Sequence, residues 1–293
     1  MIRTIKLKYD PKKIFFISDP HFNHNLPAIL KSACVETVEE LNESRIAIWN
    51  ANVPEDAIVF LLGDVCLHDP KGEIASKILK RLNFRKLYML WGNHNSGVKN
   101  LYLKAKMQFF NNDEAKASEY EAYPLSLTIG DKKDIIFAGS YLEAYLGAYN
   151  NMQHVVMCHY PIQSWHGENK GSWMLCGHTH GNTPNLKPDS LYGKILEVTY
   201  EVIGGPLSLE DIKRVMDKKS TKANHRASED TSKKEYIDAL WQYVYDEDKE
   251  WDYLDDLLAQ GCSPKESILY HAYSAQGRAD AFFEIVEERK KRL

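Results

Sequence analysis

The sequence predicts an α/β fold followed by a separate helical extension, and three observations carry that expectation. Six short apolar runs, each closed by a polar loop, have the character of strands buried on both faces. Stretches with helical spacing lie between them. Beyond residue 217 the composition changes and that alternation stops.

The predicted strands are Ile14–Ile17, Ile58–Leu62, Leu87–Trp91, Ile135–Ala138, Val155–Cys158 and Trp173–Cys176. Between the first two, a helix is expected from Thr37. Thr37 and Glu40 have capping-box spacing, and Val38, Leu41, Ile46, Ile48 and Trp49 supply an apolar side. A second helix is expected over Gly72–Leu82, with Ile74, Ile78 and Leu82 a turn apart. Tyr123–Ile129, the turn Gly130-Asp131 and Asp134–Ala138 read as a hairpin. Ile195–Ile203 reads as a late strand, and Ser208–Lys218 as a helix capped by Ser208. The expected organisation is a catalytic-type domain over residues 1–217, a polar linker over 218–234 and a small helical extension over 235–293.

The whole-chain numbers exclude several classes. The net charge of −4 spreads no basic field over the surface, which disfavours long nucleic acids as partners. The N-terminal MIRTIKLKYDPKK has no apolar core of a signal peptide. No apolar run approaches the ~18 residues that span a bilayer. The five cysteines form no Cys-x-x-Cys pair and are expected to be reduced and structural, Cys158 and Cys176 facing the core. A cytoplasmic protein with no membrane contact is expected. In the extension, Trp241, Tyr245, Trp251, Leu254, Leu257 and Leu258 share an apolar face amid acidic residues, which suits packing or self-association into a homo-oligomer better than phosphate backbones.

Five short segments carry the chemistry, and each follows an apolar run. They are Ser18-Asp19-Pro20-His21, Gly63-Asp64, Gly92-Asn93-His94, His159 and Gly177-His178-Thr179-His180. In open α/β sheets ligands gather at the carboxyl ends of strands, so this placement is informative in itself. Asp19 and His21, two apart in extended chain, would point to one side. Neutral imidazoles with carboxylates suit manganese, zinc, iron or nickel, and the absence of paired thiolates argues against a structural cysteine–zinc site. Each fragment alone is weak; their joint occurrence at strand ends in fixed order is what decides.

That order, D-x-H, G-D, G-N-H, H, G-H-x-H, resembles the calcineurin-like metallophosphoesterase superfamily, and SDPHFNHN is similar to its short phage and bacterial branch. The resemblance covers residues 13 to 216. It implies a four-layer αββα metallophosphoesterase sandwich and two divalent metal ions (Mn, Zn, Fe or Ni). It implies that Asp19, His21 and His180 hold one ion, that Asn93, His159 and His178 hold the other, and that Asp64 bridges them. His94 would be the general acid or electrostatic stabiliser. The implied reaction is hydrolysis of a phosphate ester by a metal-bridging hydroxide. A phosphodiester of a nucleotide-like small molecule is favoured over a monoester on a protein or small molecule. A nuclease and a catalytically silent binding module are the remaining alternatives. If the chain is phage-encoded, the compartment would be the host cytoplasm.

One residue departs from the family pattern. The third segment commonly continues to Asp, whereas here it reads Asn95. An aspartate would orient His94 and raise its pKa, so Asn95→Asp is expected to speed turnover of alkyl esters more than of nitrophenyl esters. His24, Asn25, His68 and Trp165 follow ligand segments closely and are candidate substrate contacts, Trp165 by stacking on a base or sugar.

Overall fold

Strand and helix alternate in the computed structural model, which describes residues 4–119, 123–130, 133–148, 151–183, 186–187 and 193–221. In chain order these form β1 (Thr4–Lys8), β2 (Ile14–Ile17), α1 (Pro27–Ser32), α2 (Val38–Asn52), β3 (Ile58–Leu61), α3 (Glu73–Arg81), β4 (Lys86–Leu90), α4 (Ser96–Phe109) and α5 (Glu114–Glu119). They continue with β5 (Leu125–Ile129), β6 (Lys133–Gly139), β7 (Tyr141–Ala148), β8 (Asn151–Cys158), β9 (Trp173–Cys176), β10 (Ile195–Glu197), α6 (Tyr200–Ile203), β11 (Leu207–Ser208) and α7 (Leu209–Met216). Every predicted strand is present, and α2 and α3 stand where helical spacing put them. The helix α2 opens with a full capping box: Thr37 Oγ1 accepts from Glu40 N, and the Glu40 carboxylate accepts from Thr37 N.

The strands form two sheets, ordered β11-β2-β3-β4-β6-β5 and β1-β7-β8-β9-β10. In the first, β2, β3, β4 and β6 run parallel. In the second, β8, β9 and β10 run parallel. Alternation along each strand then divides the core. Ile14, Phe16, Ile58, Phe60 and Leu90 face Leu142, Ala144, Val155, Met157 and Leu175 of the other sheet. Phe15, Ile17, Val59, Leu61 and Met89 face outward, where Trp49 of α2, Leu79 of α3 and Leu101 of α4 cover them. A smaller cluster of Val156, Met174, Cys176, Ile195 and Trp165 lies on the outer face of the second sheet. The fold is thus the expected mixed α/β sandwich of two sheets flanked by helices. Among the described residues no helix is long and apolar enough to cross a membrane.

Three expectations change. The segment Ile195–Ile203 is a strand only to Glu197, after which Tyr200–Ile203 turns into α6. The cause is Ser18: its amide donates to Val198 O at 2.7 Å and its carbonyl accepts from Tyr200 N at 3.0 Å, pulling the chain off the sheet edge. Cys176 faces the core as expected, but Cys158 is only half-buried. The strands β1 and β7 had no apolar run to announce them, since β1 alternates exposed and half-buried residues at the sheet edge and β7 carries Glu143, Tyr141 and Tyr145. Lys219, placed in the polar linker by composition, is buried, and its ammonium donates to Lys187 O at 2.8 Å. Residues 222–234 of that stretch and the helices expected over 235–293 lie outside the described residues.

Candidate metal centre

All five chemistry-bearing segments begin immediately or one residue after a strand: β2, β3, β4, β8 and β9. Parallel strands deliver their carboxyl ends to one edge, so side chains distant in sequence converge there. Backbone bonds fasten the first two loops together. Asp19 N donates to Gly63 O at 3.2 Å, His21 N to Asp64 O at 3.1 Å and Phe22 N to Val65 O at 2.8 Å.

The convergence does not come from extended chain, as sequence spacing suggested. Asp19 (φ 54°), His21 (φ 39°), Asp64 (φ 52°), His178 (φ 73°) and His180 (φ 47°) all have left-handed backbone. That conformation costs a non-glycine residue roughly 1–2 kcal/mol. Five such residues in one cluster mark a place where the fold holds strain to aim side chains, and such places concentrate at functional sites.

Two donor clusters result. In the first, His21 Nε2 lies 3.2 Å and His180 Nε2 3.6 Å from Asp19 Oδ1. In the second, Asn93 Oδ1 lies 2.7 Å from His159 Nε2 and 2.9 Å from His178 Nδ1. Asp64 sits between them, its Oδ2 3.7 Å from His21 Nε2 and 3.6 Å from His159 Nε2. Its Oδ1 accepts the His94 amide at 2.7 Å. The approach is close enough that a side chain on Gly92 would put Cβ 2.1 Å from Asp64 Oδ1.

The donor set fits divalent cations. Asp19 and Asp64 are fully buried carboxylates, and removing charge from water demands compensation. Burial pushes the Asp19 carboxyl up, but bonds from His21 and Ser18, the neighbouring His159 ring and the His178 amide more than offset it and hold Asp19 below the usual carboxylate range. The imidazoles are also set for coordination. His159 Nδ1 is 2.9 Å from Leu62 O, a carbonyl that can only accept, so Nδ1 carries the proton and Nε2 keeps its lone pair. His180 Nδ1 faces Glu201 Oε2 at 3.0 Å, a carboxylate–histidine arrangement that does the same for its Nε2. Glu201 raises the His180 pKa through that bond. His178 is shifted down, by burial first and then by His159. His21 Nδ1 is buried without a protein partner.

Sequence reading missed this supporting layer. Glu201 is delivered by α6, the element read as strand. Arg45 of α2 is buried and donates to Pro20 O and His21 O, both at 2.6 Å, while its Nη2 stands 3.9 Å from Glu201 Oε1. Glu197 accepts from Thr179 Oγ1 at 2.7 Å and Gly181 N at 3.1 Å, fixing the His178–His180 loop. A charged residue within an apolar run (Glu197) and an arginine on an apolar helix face (Arg45) were the available signals.

The remaining candidates divide. His94 is exposed, with its ring centroid 5.7 Å from that of His21, at the open side of the cluster. His24 is half-buried, 5.7 Å from His21 between ring centroids, and its pKa falls to about 4, chiefly from burial, with His21 and Arg45 adding. His68 is exposed and close enough to act on the charge of His24. Asn25 is exposed just before α1. Trp165 is a different case: it is 6% exposed in the outer cluster, and its indole N–H reaches Ser172 Oγ at 3.1 Å, so it offers no free face for stacking. Asn95 also departs from expectation. Its amide closes on Gly92, accepting from Gly92 N at 3.0 Å and donating to Gly92 O, and so braces the loop rather than the His94 ring.

Buried carboxylates and imidazoles thus converge at the strand ends of an α/β sandwich, a donor set suited to divalent metal ions. The chain belongs to the calcineurin-like phosphoesterase family, whose model matches residues 12–182, more than half of its length. It is therefore a metal-dependent phosphoesterase by family. It is 27% identical over 212 residues to an uncharacterized protein of Methanocaldococcus jannaschii, covering 71% of this chain and 93% of that protein. A crystal structure of a protein of unknown function from Aquifex aeolicus aligns over 69% of this chain and 98% of its own, with 16% identity and a TM-score of 0.41.

Proposed function

We propose that the chain hydrolyses a phosphodiester of a nucleotide-like small molecule at a centre of two divalent ions. Asp19, His21 and His180 hold one ion, Asn93, His159 and His178 the other, and Asp64 serves both. The observation that carries this reading is the position of Asp64 Oδ2, 3.7 Å from an imidazole nitrogen of one cluster and 3.6 Å from one of the other. When bound, a pair of such ions supplies a Lewis-acid clamp on phosphoryl oxygens and a water acidic enough to be activated at neutral pH.

The chain's own residues supply the rest. Asp19 and Asp64 bring negative charge, and Leu62 O and Glu201 keep His159 and His180 in the coordinating tautomer. His94, its amide pinned by Asp64, stands on the solvent side to protonate the departing oxygen. His24, whose ring centroid is 5.7 Å from that of His21, and His68, which acts on the charge of His24, would offer contacts to the organic part of the ester. The nearby guanidinium of Arg45 is turned to main-chain carbonyls behind the site. An Arg45 held in this way directs no charge at the substrate, which supports the single charge of a diester over a monoester dianion.

The test is hydrolysis of a nitrophenyl phosphodiester and the matching monoester by metal-stripped protein reloaded with manganese, zinc or nickel. Metal-dependent turnover of the diester, lost in His94→Ala and Asp64→Asn, is expected. Turnover of the monoester alone would replace the reading with a phosphomonoesterase. Turnover of neither by the metal-loaded protein would leave a binding module.

A further inference from the structure

A second group of metal-ligating side chains lies away from the strand ends. Glu143 of β7 and His154 of β8 point to the outer face of the second sheet, and His166 comes down on them from the loop between β8 and β9. His154 Nε2 is 3.0 Å and His166 Nδ1 2.9 Å from Glu143 Oε2, and the three atoms lie within 4.8 Å of one another. His154 precedes His159 by five strand residues, roughly 17 Å along the chain.

We infer that Glu143, His154 and His166 form a mononuclear site for a transition-metal dication of the zinc class, separate from the Asp64 centre. Four features build it. The donors are two imidazoles and one carboxylate, a set that suits Zn²⁺ and leaves a position for water. Glu143 is fully buried, and its other oxygen accepts the Tyr141 hydroxyl at 2.8 Å, so one oxygen is free to coordinate and the group cannot swing. The His154 ring is stacked on Tyr145 with centroids 4.6 Å apart, which fixes its plane. The His166 backbone is held by Ser172 Oγ at 2.7 Å, and Gly167 lets the loop lie flat: a Cβ there would stand 3.2 Å from His154 Nδ1.

The spacing is close to what coordination needs. Ligand atoms ~2.0–2.1 Å from a tetrahedral ion are about 3.3 Å apart. The two contacts to Glu143 need to open by only some 0.3–0.4 Å, and His166, two-thirds exposed, has room to move. An ion here would anchor to the sheet the loop that starts at the candidate ligand His159.

The experiment is a zinc titration of chelator-stripped protein against a chromophoric chelator, comparing the parent with His166→Ala and with Glu143→Gln. The parent is expected to take up one equivalent more than either variant. The same difference is expected when all three carry Asp64→Asn, so the outcome does not depend on the reading of the main centre. With cobalt in place of zinc, the visible absorption of a four- or five-coordinate ion should be lower in Asp64→Asn with His166→Ala than in Asp64→Asn alone, by the share of one ion. His166 is exposed, so the fold should survive its removal. Equal uptake by the parent and His166→Ala would overturn the inference and leave the cluster as a hydrogen-bonded carboxylate that pins the loop.

Discussion

Replacing Glu201 with glutamine tests the layer behind the candidate ligands. The carboxylate accepts from His180 Nδ1 at 3.0 Å and faces the buried Arg45 at 3.9 Å. Its pKa is pushed up by burial but held below the usual range by His180 and Arg45, so it is ionised at neutral pH. Glutamine keeps the shape and loses the charge, and its amide can also present N–H, which no longer enforces the coordinating tautomer of His180. Loss of such a partner typically weakens a metal site 10–100-fold, about 1.4–2.7 kcal/mol. Arg45 would keep its two carbonyl acceptors and lose its counter-charge, so the metal-free protein should also melt lower, by roughly 2–4 °C for a ~1 kcal/mol loss. The assay is competition with a chelator of known affinity, beside hydrolysis at limiting and at saturating metal. Activity should fall at limiting metal and recover at saturation. Unchanged affinity would refute a coordinating role for His180 supported by Glu201.

Two further predictions follow from single interactions. Asn95→Asp would set a carboxylate against Gly92 O, where the amide now donates, and should cost about 1–3 kcal/mol of stability; turnover of alkyl and nitrophenyl esters should then fall by similar factors, and selective acceleration of alkyl esters would restore the role expected from the family pattern. The Glu40 carboxylate accepts the Glu36 and Thr37 amides at 2.8 and 3.1 Å, and those bonds lower its pKa. A lowered folded pKa stabilises the fold above the unfolded value and loses that contribution as pH falls through the folded one. Chemical denaturation of Glu40→Gln should therefore show a deficit at neutral pH that vanishes in acid; a deficit independent of pH would assign it to shape instead.

The fold was legible where burial is complete on both faces. Runs such as Ile58–Leu61 and Trp173–Cys176 have no exposed side to interrupt, so composition alone marks them. It was illegible where a strand has a polar face. In β7 the outward residues are Tyr141, Glu143 and Tyr145; Tyr141 bonds to Glu143 within the strand, but His154 and His166, which meet Glu143 and Tyr145, come from other segments. The positions of the candidate ligands could be read because five segments each end a strand. Their conformation could not: Asp19 and His21 converge through left-handed backbone, a property of tertiary strain rather than of spacing. Trp165 illustrates the converse, since a loop tryptophan near a ligand looks identical in sequence whether its ring faces solvent or, as here, Met174 and Cys176.

Metal counting in Asp64→Asn decides whether Asp64 serves two ions. Asparagine keeps an oxygen for the His94 amide, so the loop should survive, while an amide nitrogen replaces the anionic oxygen between His21 and His159. The count is made on chelator-stripped, reloaded protein in the His166→Ala background, so that only this centre contributes. Two equivalents are expected with Asp64 present, and both should be lost at the same free metal concentration in Asp64→Asn. Retention of two equivalents would contradict that shared role of Asp64.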